Sequence, residues 1–153
     1  IKYIPDKFKI KEFYILAIRH TNFVLTFIPN VFRTKKFYLT VIKKKSSMIK
    51  YIPDIIKTKE FYLSAIKQKS YTLEFIPYEF RTNKFYLTVI KQNALALQFV
   101  PNKFKTKELC EIAIKKNAYA LRFVPKNLKT KEICELAFNQ NKGILYLIPN
   151  KFK

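Results

Sequence analysis

Two cysteines and one histidine are the side chains in this sequence best suited to binding a metal or acting as a nucleophile. They are Cys110, Cys134 and His20. A structural zinc site needs four convergent nitrogen or sulfur ligands and a catalytic site needs three from the protein, so these residues alone do not build one. Free cysteine commonly packs as a small hydrophobe, and we expect both cysteines to be buried. We predict no metal site and no cofactor.

Acidic side chains recur at intervals of 24 or 48 residues, at Glu12, Glu60, Glu108 and Glu132. A row of carboxylates is compatible with acid–base chemistry, but carboxylates in the first turn of a helix also complement the helix dipole, and we favour that structural interpretation. The sequence has no glycine-rich phosphate loop and no arrangement of Ser, His and Asp typical of a nucleophilic triad. We therefore predict that the protein is not an enzyme and has no catalytic residues.

The spacing of the prolines identifies a tandem repeat, because all seven lie 24 residues apart. When each repeat is numbered from its proline as position 0, position 5 is threonine except at Ile10, and positions 8, 9, 12 and 13 form one face of an α-helix. Threonine is a preferred N-cap, so a helix should begin there. We predict that it runs for about eleven residues. It should end near Asn93, Asn117 or Asn141, where asparagine could take a left-handed conformation.

A second apolar group at positions 20, 22 and 23, as in Leu97, Phe99 and Val100, indicates a short second helix. The β-branched residue before each proline opposes helical geometry, so this helix ends there and the proline begins a tight turn. A unit of 24 residues does not bury its own apolar face, so the units must stack. We predict an all-α solenoid of 24-residue repeats, each a long helix, a short helix and a proline-led turn. A single array spans residues 1–153, with full units at 5–28, 29–52, 53–76, 77–100, 101–124 and 125–148 and partial units at both ends.

A leucine-rich repeat is the competing architecture, because Ile-Pro-x-x-Phe at this period also occurs in β-lined horseshoes. Such a repeat would require leucine near position 6, where this chain has lysine at Lys35, Lys59, Lys107 and Lys131. The helical face therefore favours the α-solenoid.

The repeat unit, best seen in residues 103–125, resembles the tandem helical repeats of a family catalogued as the four-one-one-six domain of unknown function. The residues that match its motif are Leu128, Lys129, Lys131, Glu132, Ala137, Asn141 and Leu145. Thr130 stands where the family has an aspartate cap, and glycine is retained only at Gly143. The resemblance implies a helical repeat and no established activity. A looser similarity to leucine-rich variant repeats, which alternate long and short helices, implies the same architecture.

Lysine and arginine outnumber aspartate and glutamate by 31 to 10, a formal net charge of +21 that favours polyanionic partners. Position 4 is cationic in every repeat and position 6 in five of six. Stacking would align these side chains in a ladder with a rise of roughly 10 Å per repeat. Such a ladder suits an extended polyanion; the alternative is that these lysines form an ordinary solvated surface without a ligand. The candidate polyanion-binding residues are Lys9, Arg33, Lys57, Arg81, Lys105 and Lys129 at position 4, and Lys35, Lys59, Lys107 and Lys131 at position 6.

Position 10 provides a candidate protein-binding column, formed by Ile15, Leu39, Leu63 and Leu87. On a helical wheel it lies roughly 130° from the centre of the core face. If exposed, the four aliphatic residues form an apolar strip; the alternative is burial under the next repeat. Glu111 and Glu135 occupy the same position further along the chain.

These features predict a non-catalytic scaffold for macromolecular, protein–protein interaction, with sequence-independent RNA or DNA backbone binding through the basic ladder as the alternative. Self-association through uncapped ends is a further possible partner arrangement. No apolar run approaches the roughly 20 residues that cross a bilayer, so we predict no membrane partner. Equivalent helices packed roughly 8 to 10 Å apart would hold the two cysteines beyond the reach of a disulfide. Reduced thiols favour an intracellular location.

Overall fold

The computed structural model describes residues 3–153, and no β-strand occurs among them. Three elements recur: an α-helix, a six-residue 3-10 helix that we call the second helix, and a three-residue 3-10 turn after the proline that we call the proline turn. The predicted fold class is confirmed: the chain is an all-α repeat solenoid.

The α-helices are α1 (Lys11–Ala17), α2 (Lys35–Lys44), α3 (Lys59–Gln68), α4 (Asn83–Gln92), α5 (Lys107–Lys116) and α6 (Lys131–Gln140). The second helices are Asn22–Phe27, Ser46–Tyr51, Ser70–Phe75, Ala94–Phe99, Ala118–Phe123 and Lys142–Leu147. The proline turns are Asp6–Phe8, Asn30–Phe32, Asp54–Ile56, Tyr78–Phe80, Asn102–Phe104, Lys126–Leu128 and Asn150–Phe152.

The threonines at position 5 begin the α-helices, as predicted. From α2 to α6, each threonine hydroxyl accepts the backbone N–H three residues on, for example Phe61 N to Thr58 Oγ1 at 3.2 Å and Leu109 N to Thr106 Oγ1 at 3.1 Å. Ile10 has no such acceptor, and α1 spans seven residues where the later α-helices span ten. The caps therefore satisfy a donor that would otherwise have no partner in the first turn.

The asparagines after α4, α5 and α6 do not adopt the left-handed conformation, so this expectation is wrong. Asn93, Asn117 and Asn141 are extended, with φ of −146°, −158° and −152°. Each side-chain oxygen instead accepts the backbone N–H two residues on, at 2.8 to 3.0 Å. These residues are N-caps of the second helix, which is why a residue with a short side-chain acceptor is placed there.

The second helix buries a different set of positions from the predicted one. A 3-10 helix has three residues per turn, so positions 17, 20 and 23 share a face. In the fourth repeat these are Ala94, Leu97 and Val100, and all are buried together with Ala96 at position 19. Position 22 is wrong as a core position, since Phe99 is half-buried and Tyr51 is 54% exposed.

The proline turn reverses the chain between the second helix and the next α-helix. The position 3 N–H donates to the proline carbonyl, as in Phe104 N to Pro101 O at 2.9 Å. Position 4 has the dihedral angles of an inverse γ-turn, for example φ −79° and ψ 64° at Arg81. This geometry brings the ring of Phe104, in the turn that begins the fifth repeat, to 4.8 Å from the ring of Tyr86 in the fourth repeat, centroid to centroid.

The described chain divides into two compact units, one ending at Phe75 and the other beginning at Ile76. In the first, α2 packs on α3 and the second helices of successive repeats pack on one another. In the unit that begins at Ile76, α5 packs against both α4 and α6, and the second helices of successive repeats again pack on one another. Among residues 3–153 no helix is both long and apolar enough to cross a membrane.

Replacing Ile10 by threonine should supply the cap that α1 lacks. The Ile10 backbone is extended (φ −85°, ψ 164°), like that of the native threonine caps. We expect a gain of about 1 kcal/mol in the free energy of unfolding of the cooperative unit that contains α1, measured by urea denaturation. Ile10→Val, which is also β-branched but has no acceptor, is the control, and an equal gain in both variants would contradict the capping explanation.

Thr72 is a removable defect in the core. Its side chain is 0% exposed and its hydroxyl has no hydrogen-bond partner. We expect Thr72→Val to raise the free energy of unfolding by about 1 kcal/mol. The native hydroxyl loses its hydrogen bonds to water on folding and gains none in return, and valine has no hydroxyl that carries this cost. Thr88→Val removes a hydroxyl that donates to the Lys84 carbonyl at 3.0 Å, so this control should give no gain.

Candidate interaction surfaces

Three of the position 4 cations donate hydrogen bonds to the chain's own carbonyl groups. Arg33 Nε donates to the Ile28 carbonyl and Arg81 Nε to the Ile76 carbonyl, both at 2.9 Å. Lys105 Nζ donates to the Phe123 carbonyl at 3.1 Å. The carbonyls of Ile28 and Ile76 precede a proline, where helical hydrogen bonding stops, so position 4 has a structural use in these repeats.

Burial changes the acidity of two position 4 lysines. The pKa of Lys105 is lowered chiefly because its ammonium group is partly removed from water, and the same desolvation lowers the pKa of Lys129. Lys57 forms an ion pair with Asp54 at 3.0 Å. The position 4 side chains are therefore not an open row of solvated cations.

The position 6 lysines are the exposed part of the predicted ladder. Lys35, Lys59, Lys107 and Lys131 all lie in the first turn of an α-helix and are exposed. Acidic residues lie near them. The positive charges of Lys35 and Lys59 help to lower the pKa of Glu60, and those of Lys107 and Lys131 help to lower the pKa of Glu132. Where a repeat has glutamate at position 7, the surface formed by the position 6 lysines therefore carries both positive and negative charges.

Two of the position 7 glutamates, Glu60 and Glu132, are stabilised in their charged form at the helix N-termini. The pKa of Glu60 is lowered by its own backbone N–H and then by the Thr58 hydroxyl, with smaller contributions from the lysines. For Glu132 the Thr130 hydroxyl comes first and the backbone N–H second. This geometry agrees with the structural interpretation of the acidic row.

The position 10 residues lie between the two alternatives considered from sequence. Ile15, Leu39, Leu63 and Leu87 are each half-buried. Leu39 lines a shallow groove with Lys35, Lys36 and Lys43 of α2 and Gln68 of α3. They are therefore neither core residues nor isolated surface residues.

A groove with an apolar lining lies between α4 and α5 in the second unit. Leu87, Phe104, Leu109 and Ile112 form its floor and walls around a cavity of about 210 Å³. Its polar rim comprises Asn83, Lys84, Thr106 and Glu108. An apolar floor with a rim of both charges is able to receive an aliphatic side chain and to orient the polar groups beside it.

The sequence prediction included Lys129 but missed the cluster of lysines to which it belongs, at the last two proline turns. Lys126, Lys151 and Lys153 line one cavity together with Lys129. The available signal was at position 1, where Lys126 is the single cation among Asp, Asn and Tyr residues. Without the geometry of the two turns, the sequence does not predict that these lysines line the same cavity.

The two cysteines are buried and unpaired, as expected from their position in the repeat. Burial raises the pKa of the Cys110 thiol to about 11 and also raises that of Cys134. A thiol with a raised pKa contributes less of the nucleophilic thiolate at neutral pH.

Alkylation should test that environment. At pH 8 we expect folded protein to react with iodoacetamide at least about a hundredfold more slowly than the same protein in guanidinium chloride, since both the thiolate population and access are reduced. Mass spectrometry of the tryptic peptides would assign each cysteine. Rates equal to those of the unfolded chain would show that the thiols are accessible.

A comparison with protein-family models identifies the repeat. The model described as "Domain of unknown function (DUF4116)" matches residues 34–81, 83–129 and 106–153. Among curated proteins and solved structures, none matches this chain.

Proposed function

Since the chain belongs to the family of the domain of unknown function DUF4116, whose description assigns no activity, we propose from its surfaces that it is a non-catalytic scaffold that binds an acidic protein. The observation that carries this proposal is the half-buried aliphatic column at position 10, with Leu87 in the apolar groove between α4 and α5. Hot spots of protein interfaces cluster in well-packed, desolvated pockets that are surrounded by a more polar rim.

The net charge supports an acidic partner. A formal charge of +21 attracts an acidic chain and accelerates its association. The groove around Leu39 has three lysines and no acidic residue on its lining, whereas the rim of the groove around Leu87 carries both Lys84 and Glu108. An acidic segment with a large apolar side chain would satisfy both features at either groove, the apolar group entering the groove and a carboxylate pairing with a lysine of its lining.

The chain itself supplies a substitution that separates binding from folding. Position 10 is glutamate in α5 (Glu111) and α6 (Glu135), so glutamate at this position is compatible with the repeat. Leu87→Glu should therefore fold, while placing a carboxylate in the groove where it repels an acidic partner. Leu145→Glu is the matched control, because Leu145 is 48% exposed and lies on a second helix outside the groove.

The test uses a random peptide display library as the probe. Peptides selected on the native protein should be enriched in Asp and Glu together with large apolar residues, and Leu87→Glu should weaken their binding at least about tenfold while Leu145→Glu changes it little. Circular dichroism confirms folding of both variants. Selected peptides without acidic residues, or peptides equally affected by both substitutions, would contradict the proposal.

Backbone-directed binding of RNA or DNA is the second candidate, favoured by the exposed position 6 lysines. It requires affinity for single-stranded RNA that falls steeply as salt rises, because counterions are released from the phosphates. Lys35→Gln combined with Lys59→Gln should then reduce both affinity and its salt dependence. The interposed Glu60 leads us to expect weak RNA binding that these substitutions do not change. A strong, salt-dependent affinity lost in the double variant would replace the protein-binding proposal.

A further inference from the structure

A cavity of about 490 Å³ lies between the last two proline turns of the described chain. Four lysines line it, and its other polar lining residues are Tyr146 and Asn150. The four lysines are Lys126, Lys129, Lys151 and Lys153. None of the lining side chains is acidic, and the lining offers ammonium and hydroxyl donors.

The same turn in the third repeat shows what is unusual about this charge. There, position 1 is Asp54 and its carboxylate pairs with Lys57 at position 4, at 3.0 Å. In the sixth repeat position 1 is Lys126, so Lys129 faces a second cation in place of a carboxylate. Burial is the main cause that lowers the pKa of Lys129, and the charge of Lys126 lowers it further. The turn therefore holds two like charges where an ion pair is possible.

The neighbouring position 4 lysine differs from Lys129 in its bonding. Lys105 Nζ is held by the Phe123 carbonyl at 3.1 Å. Lys129 has no corresponding hydrogen bond within residues 3–153 and lines the cavity. Lys153 Nζ, which also lines the cavity, donates to Asn150 Oδ1 at 3.0 Å, a neutral partner that leaves the positive charge in place.

We propose that this cavity binds a compact oxyanion of high charge, of the pyrophosphate class. Phosphate oxygens accept from ammonium groups in short charge-assisted hydrogen bonds, and an anion would relieve the repulsion between Lys126 and Lys129. Partial burial of Lys129 strengthens that attraction relative to an exposed pair. The site shares no residue with the groove proposed for protein binding, so the two proposals stand independently.

The experiment titrates inorganic pyrophosphate into the full chain at low salt, by calorimetry and by two-dimensional amide NMR. We expect saturable binding, with shifts concentrated in residues 126–129 and 146–153. Lys126→Asp recreates the arrangement of Asp54 and Lys57, so it should fold normally and lose at least about tenfold in affinity. Lys142→Asp makes the same change of charge at an exposed residue outside the cavity and should alter affinity less than about twofold.

Three results would overturn the proposal. One is the absence of pyrophosphate binding at low salt. Another is an equal loss of affinity in Lys126→Asp and Lys142→Asp, which would assign the binding to the overall charge. The third is that a short oligothymidine, which carries only phosphodiesters, binds the same residues as tightly as pyrophosphate, since that would assign the cavity to a nucleic-acid backbone.

Discussion

The structure depends on the burial of an apolar face that no single repeat covers by itself. Each α-helix from α2 to α5 buries four residues, exemplified by Phe85, Tyr86, Val89 and Ile90 of α4, and the second helix adds a further buried set. Because these surfaces close only against the next repeat, the stability of a repeat is shared with its neighbours. Positions that are only half-buried beside this contact, such as position 10, are then free to differ along the chain, as Leu87 and Glu111 do.

Some of the positive charge stabilises this construction. The change from a 3-10 helix to a proline leaves carbonyl groups without helical partners, and Arg33, Arg81 and Lys105 donate to such groups. A cationic side chain that already donates a hydrogen bond to a backbone carbonyl gives little indication of a ligand-binding site. The informative cations are those whose repeat equivalents are neutral or paired, and comparison between repeats identifies them without reference to any other protein.

The sequence predicts the period, the threonine caps and the burial of the cysteines, because each depends on a local pattern that recurs every 24 residues. It does not predict the pitch of the second helix, since six residues are too few to distinguish a period of 3.0 from one of 3.6. That ambiguity misplaced Phe99 in the core. The approach of Lys126 to Lys151 and Lys153 depends on the inverse γ-turn and on the packing of two turns, which no pattern in one repeat specifies.

Hydrogen exchange measures the sharing of the core between repeats most directly. Ile114 of α5 is fully buried, and truncating it to alanine should cost about 2 to 5 kcal/mol. Because α5 packs against both α4 and α6, we expect amide protection to fall in all three helices of the variant. A loss of protection confined to residues of the fifth repeat, with α4 and α6 unchanged, would show that the repeats are stable on their own and would contradict the account.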